Sequence, residues 1–98
     1  MSLLVTFRRP ARAEFIEAAQ WYEARRRNLG VEFVAEIERC IALVAENPLA
    51  HAVVQNGIRR IVAERFPYRI FFRSETTRIV VLAVFHFRRN PSIWQRRA

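Results

Sequence analysis

The chain contains no lysine and no aspartate. All 17 basic residues are arginine and all 9 acidic residues are glutamate. Codon usage in a GC-rich genome would account for most of that bias, but its chemical consequence stands. Arginine stays protonated in any protein environment, so it holds anions well and shuttles protons poorly. Acid–base chemistry therefore falls to glutamate, histidine, tyrosine or the single cysteine. That cysteine, Cys40, excludes a disulfide within the chain and fits a reducing cytoplasm. It lies among Ile37, Ile41 and Val44 at helical spacing, which marks a core residue and not a nucleophile. With only 2 glycines and 4 prolines, regular elements should dominate over loops. The longest apolar run, Ile79–Phe85, falls far short of the ~20 residues that cross a bilayer. Residues 1–9 carry a Leu3-Leu4-Val5 patch but no signal-peptide core or cleavage site, so no secretory leader is expected.

What is present is an apolar, strongly basic chain. Its 98 residues suit one domain, 1–98, and 52% of them are apolar, well above the level of a disordered chain. The net charge of +8 implies an acidic partner, either nucleic acid or an acidic protein segment, and does not choose between them. No histidine–cysteine spacing suggests a metal, and no motif suggests a cofactor.

Hydrophobic periodicity sets out the elements. Residues 3–7 read as a short strand stopped by Arg8-Arg9-Pro10, and Pro10 suits a first helical turn. A helix follows from Ala11 to about Arg27, with Phe15, Ala18, Ala19 and Tyr22 as its apolar stripe. Asn28-Leu29-Gly30 is a stop signal, with Gly30 available for a left-handed turn. A second helix, Val31 to Glu46, carries Val31, Val34, Ile37, Ile41 and Val44 on one side and ends at Asn47-Pro48. Residues 48–57 read as a loop with an Asn56-Gly57 turn. Three strands follow: Ile58–Glu64, Tyr68–Ser74 and Arg78–Phe87, the last apolar on both faces and so central. Residues 90–98 are expected to leave the sheet at Pro91. The fold class is α+β in the order β-α-α-β-β-β, a helix hairpin packed on one face of a small, mostly antiparallel sheet.

Alternation puts Arg69, Phe71 and Arg73 on one face of their strand and Tyr68, Ile70 and Phe72 on the other. An even hairpin loop at Glu75–Thr77 places Arg69 and Arg73 with Leu82, Val84 and His86, leaving Arg69 diagonal to His86; a three-residue loop reverses that parity. The expected result is a cationic cluster of Arg59 or Arg60, Arg69, Arg73, His86 and Arg88, suited to phosphate or carboxylate. Taken singly, each arginine reads better as a solvated residue or one paired with Glu64 or Glu75; the anion-binding reading belongs to the cluster. His86 is the one candidate proton shuttle of the cluster, and a packed strand-end histidine is an equal reading. His51 reads as an exposed loop residue, and Trp94 as a cap over the core before it reads as a stacking platform.

Several segments in order resemble the ParE/RelE toxin superfamily, the toxic halves of bacterial toxin–antitoxin or plasmid stabilisation pairs. They are Trp21-Tyr22-Glu23, Leu29-Gly30-x-x-Phe33, Asn47-Pro48, Ile58-Arg59-Arg60, Phe66-Pro67-Tyr68-Arg69-Ile70-Phe71-Phe72 and His86-Phe87-Arg88-Arg89-Asn90-Pro91. The last two look most like the ParE branch. The resemblance implies a cytoplasmic toxin neutralised by a cognate antitoxin, whose acidic segment folds on binding. The expected assembly is a homodimer or a toxin–antitoxin hetero-oligomer, with no membrane partner. ParE-like members inhibit DNA gyrase by binding, whereas RelE-like members cut messenger RNA on the ribosome. In the nuclease reading, Arg69, Arg59 and His86 would be catalytic. The lysines of that branch are absent, and Phe87 follows His86 where some nucleases carry tyrosine. In the binding reading, Arg59, Arg60, Arg69, Arg73, Arg88, Arg89, Trp94 and Arg96 would meet the target. A non-toxic relative that only binds an antitoxin, and a general basic RNA-binding domain, are the remaining alternatives.

Overall fold

A computed structural model describes residues 3–97. Strand β1 (Leu4–Phe7) leads into helix α1 (Arg9–Arg25), which has proline in its first turn, where the missing N–H costs nothing. Helix α2 (Leu29–Glu46) starts earlier than its periodicity suggests. Asn28, not Gly30, takes the left-handed conformation at the link, with φ of 72°. Gly30 instead lies in the first turn of α2, against α1: a Cβ there would stand 2.5 Å from the Ala19 carbonyl oxygen. The Glu23 carboxylate of α1 accepts from the amides of Asn28 and Gly30 at 2.9 and 3.0 Å, capping α2 from its neighbour.

After a 3-10 turn at Pro48–Ala50 comes β2 (Val53–Gln55), a short strand within the segment expected to be loop. It pairs with β3 (Ile58–Val62) around Asn56-Gly57, both at positive φ, as a tight hairpin requires. Strands β4 (Tyr68–Ser74) and β5 (Arg78–His86) form the next hairpin, and helix α3 (Ser92–Gln95) comes after them. The sheet order is β1-β5-β4-β3-β2, with β1 parallel to β5 and the other pairs antiparallel.

The inner face of the sheet takes the helix hairpin. Ala11 and Ala18 of α1 and Phe33, Ile37 and Cys40 of α2 pack with Ile70, Val81 and Val84. The outer face is apolar too: Ile58, Phe71, Val80, Leu82, Ala83 and Phe85 form a second cluster. Its cover is the C-terminal segment, which turns back across the sheet instead of leaving it. Trp94 stacks on Phe71 with ring centroids 3.9 Å apart and planes 15° from parallel. Strand β5 is accordingly buried on both faces from Ile79 to Phe85.

One irregularity decides the site. The β4–β5 register pairs Phe72 with Val81 and Phe71 with Ala83, which leaves Leu82 as an extra residue. A single inserted residue reverses the parity of everything beyond it.

Candidate functional site

The hairpin loop is even, since Ser74 pairs with Ile79 and the amide of Glu75 donates to the Arg78 carbonyl at 2.8 Å. Parity from the loop alone would set Arg69 beside His86. The bulge at Leu82 overturns that: Arg69 pairs with Phe85, and His86 pairs with Tyr68. Arg69 therefore lies on the outer face and His86 on the inner one, and the expected cluster divides in two.

The inner part is a cleft of about 390 Å³ between α1 and the ends of β4 and β5. Ala18 and Val84 contribute apolar lining, with Trp21, Tyr22, Tyr68 and His86 around them. Tyr68 and His86 meet edge to face at 5.2 Å. Burial pushes the Tyr68 phenol up to about 12, with Tyr22 adding to the shift, and burial also raises Tyr22. The Nδ1 of His86 accepts from the Arg88 amide at 3.0 Å, so in the neutral ring the proton sits on Nε2. That backbone bond matches the packed strand-end reading of this histidine.

The centre of charge in the cleft is Glu14, which lies in no motif of the sequence. Its carboxylate accepts from the Val84 amide at 3.0 Å, from Arg97 at 2.8 and 2.9 Å, and from Arg89. Arg97 also donates to the Leu82 carbonyl, the oxygen of the bulged residue, at 3.1 Å. Strand β1 pairs with β5 only as far as Val81. Beyond that point Glu14 and Arg97 satisfy backbone groups that a neighbouring strand would otherwise satisfy. A signal for it exists: Glu14 stands four residues before Ala18 and eight before Tyr22, a carboxylate in line with the apolar stripe. Glu36 repeats the pattern in α2, buried and held by Arg39 and the Glu64 amide.

The outer part holds Arg60, Arg69 and Arg73, which the register places on the same face as Phe71. None of the three has an ion pair among the described residues, and no strand contains a glutamate. Glu64 and Glu75 pair with Arg39 and Arg78 instead. The Arg69 guanidinium lies 4.4 Å from the centre of the exposed Phe87 ring.

The remaining candidates scatter. Arg59 faces inward and donates to the carbonyl oxygens of His51 and Leu49 at 2.7 and 3.5 Å, tying down the loop before β2. His51 itself is half-buried, edge-on to Phe72 at 5.9 Å. Arg89 is engaged by Glu14 and lies over Phe85. Trp94 is buried and serves the outer core, which takes it out of any target-contact surface. Arg88 and Arg96 are exposed. Burial, followed by the Glu36 charge, pushes the Cys40 thiol up to about 11, as befits a core residue. Among the described residues no cluster could hold a metal ion, and no helix is long and apolar enough to cross a membrane.

This architecture defines the class. A structure of a chromosomal ParDE toxin–antitoxin system from P. aeruginosa superposes with a TM-score of 0.75 at 18% identity, covering 87% of this chain and 96% of that one. The toxin–antitoxin complex RelBE2 from Mycobacterium tuberculosis gives a TM-score of 0.62 at 21% identity, with 88% and 99% covered. The fold is thus the one shared by chains of these two toxin–antitoxin complexes. Sequence narrows it further: the family described as ParE toxin of type II toxin–antitoxin system, parDE, matches residues 5–91. The chain belongs to the ParE toxin family. No curated protein matches it in sequence.

Proposed function

We propose that this chain is a cytoplasmic ParE-like toxin that inhibits DNA gyrase by binding, with no turnover of its own, and that a cognate antitoxin neutralises it by folding an acidic segment onto it. Family membership supports the toxin role. The observation that carries the choice of binding over RNA cleavage is the separation of Arg69 from His86 onto opposite faces of the sheet. Cutting a phosphodiester needs a proton-transfer group and a phosphate-holding cation around the same atoms. On the His86 side the nearby guanidinium, Arg89, is already engaged by Glu14, which it shares with Arg97. On the Arg69 side there are cations but no histidine, tyrosine or glutamate on the strands.

Expression of the chain alone separates the readings. It should arrest growth with a DNA-damage response while translation continues, and co-expression of the open reading frame beside it should restore growth and yield a complex. Arrest of translation with intact DNA would favour the nuclease, and no arrest at all would favour a non-toxic relative.

A further inference from the structure

The net charge of +8 is unevenly placed. From Arg9 to Glu46, through both long helices, six arginines stand against seven glutamates. From Asn47 onward, ten arginines stand against two glutamates. The helix layer is close to neutral, and the basic character belongs to the sheet and the C-terminal segment.

On the outer face, three arginines with no ion pair among the described residues track along the ladder. Arg73 sits on the Ile58 rung, Arg60 on the Phe71 rung and Arg69 on the Val62 rung. Successive rungs on one face are two residues apart, so these cations recur about every 6.7 Å along the strands, zigzagging between β4 and β3. Trp94 fills the space over Phe71, so the arginines rim the C-terminal segment. Phe87, 41% exposed, adds an aromatic ring beside Arg69.

We infer that this outer face binds the sugar–phosphate backbone of a nucleic acid, without sequence preference, through Arg60, Arg69 and Arg73, with Phe87 as a stacking surface at one end. Cations recurring on the scale of a phosphate chain, with an exposed aromatic among them, are what a single strand engages. An acidic peptide that folds on contact also needs apolar ground for its anchoring side chains. Here Trp94 and Ile93 already occupy the apolar ground of this face. Of the large exposed apolar residues, Leu4, Ile16, Trp21, Val31, Leu43 and Leu49 lie off it, in β1, the two long helices and the turn after them, while Val62 and Phe87 lie at its Arg69 end, too small a patch to anchor a folding peptide. The nucleic-acid reading does not rest on gyrase being the target.

The test is fluorescence anisotropy of the full chain, without gyrase, on a labelled single-stranded DNA of about twenty nucleotides. RNA and duplex DNA of matched length, and a glutamate-rich peptide of matched charge, form parallel arms. Three phosphate contacts give a slope of log affinity against log salt of about −2 or steeper for a single strand. The variant R60E/R69E/R73E should lose at least about tenfold in affinity. The control R8E/R9E/R12E changes net charge equally, at exposed positions around the start of α1 where glutamate suits the helix dipole, and should bind within about twofold of the parent. If the charge-reversed variant does not fold, R60Q/R69Q/R73Q replaces it, and its slope should flatten by about 2. The three nucleic-acid arms identify which backbone is preferred. Equal losses in both charge-reversed variants, an unchanged slope in the glutamine variant, tighter binding of the peptide, or no binding to any nucleic acid would overturn the assignment.

Discussion

Glu14 in α1 accepts the amide hydrogen of Val84 in β5, 70 residues further along the chain, at 3.0 Å. The same carboxylate holds Arg89 and Arg97, so it joins the first helix, strand β5 and the C-terminal segment. Its side chain is only 10% exposed, and the Val84 amide that it holds, like the Leu82 carbonyl held by Arg97, lies beyond the point where β1 stops pairing with β5.

Removing that hub should be costly. Glu14→Gln leaves a mostly buried guanidinium without its counter-charge, so the expected loss is about 3 kcal/mol, read from urea unfolding. In a double-mutant cycle with Arg97→Ala, the two sites should couple by about 1–3 kcal/mol. Additive effects would mean that the ion pair contributes little.

Gly30→Ala tests the contact between the two long helices. The added Cβ meets the Ala19 carbonyl at 2.5 Å and Glu23 Cβ at 2.9 Å, both firmly placed, so α2 must move away from α1. The expected destabilisation is about 1–3 kcal/mol, although alanine is the better helix former. A thermal midpoint at or above that of the parent would contradict this packing.

The fold should weaken in acid through Glu36. Its bonds from Arg39, joined by the Glu64 amide, hold its carboxyl at about 2, below the ordinary 4.5. A depressed folded-state value stabilises the protein above the unfolded value and loses that stabilisation as pH falls. Stability from Glu36 should therefore be complete by about pH 5 and fade toward about pH 2. Glu36→Gln should be less stable at neutral pH and show a flatter acid limb in chemical denaturation.

Much of this was legible in the sequence. Helical spacing located α1 and α2, and period-two alternation sorted the inner and outer residues of β4. The bulge left no trace, because Val80-Val81-Leu82-Ala83-Val84-Phe85 is apolar at every position and one extra residue changes no pattern. The separation of Arg69 from His86 was hidden with it. Glu14 was missed because its partners Val84, Arg89 and Arg97 lie 70, 75 and 83 residues further along the chain, beyond any local pattern. The return of residues 91–97 over the outer face depends on contacts between Trp94 and Phe71 that no local pattern encodes.

If the toxin acts by binding, His86→Ala should keep growth inhibition within about twofold at matched soluble expression, because no proton transfer is lost; a proton-transfer role would instead cost on the order of 10²–10⁴ in rate. Arg60, Arg69, Arg73, Arg88 and Arg96 should then each contribute a partial share.

The central claim, gyrase inhibition without turnover, is tested most directly with purified components. The chain is titrated into a gyrase supercoiling reaction and, in parallel, into translating ribosomes carrying a defined messenger RNA. The account predicts loss of supercoiling or accumulation of cleaved DNA at near-stoichiometric toxin, with the messenger RNA intact and both effects unchanged in His86→Ala. Ribosome-dependent cutting of the messenger RNA with supercoiling unaffected would contradict it.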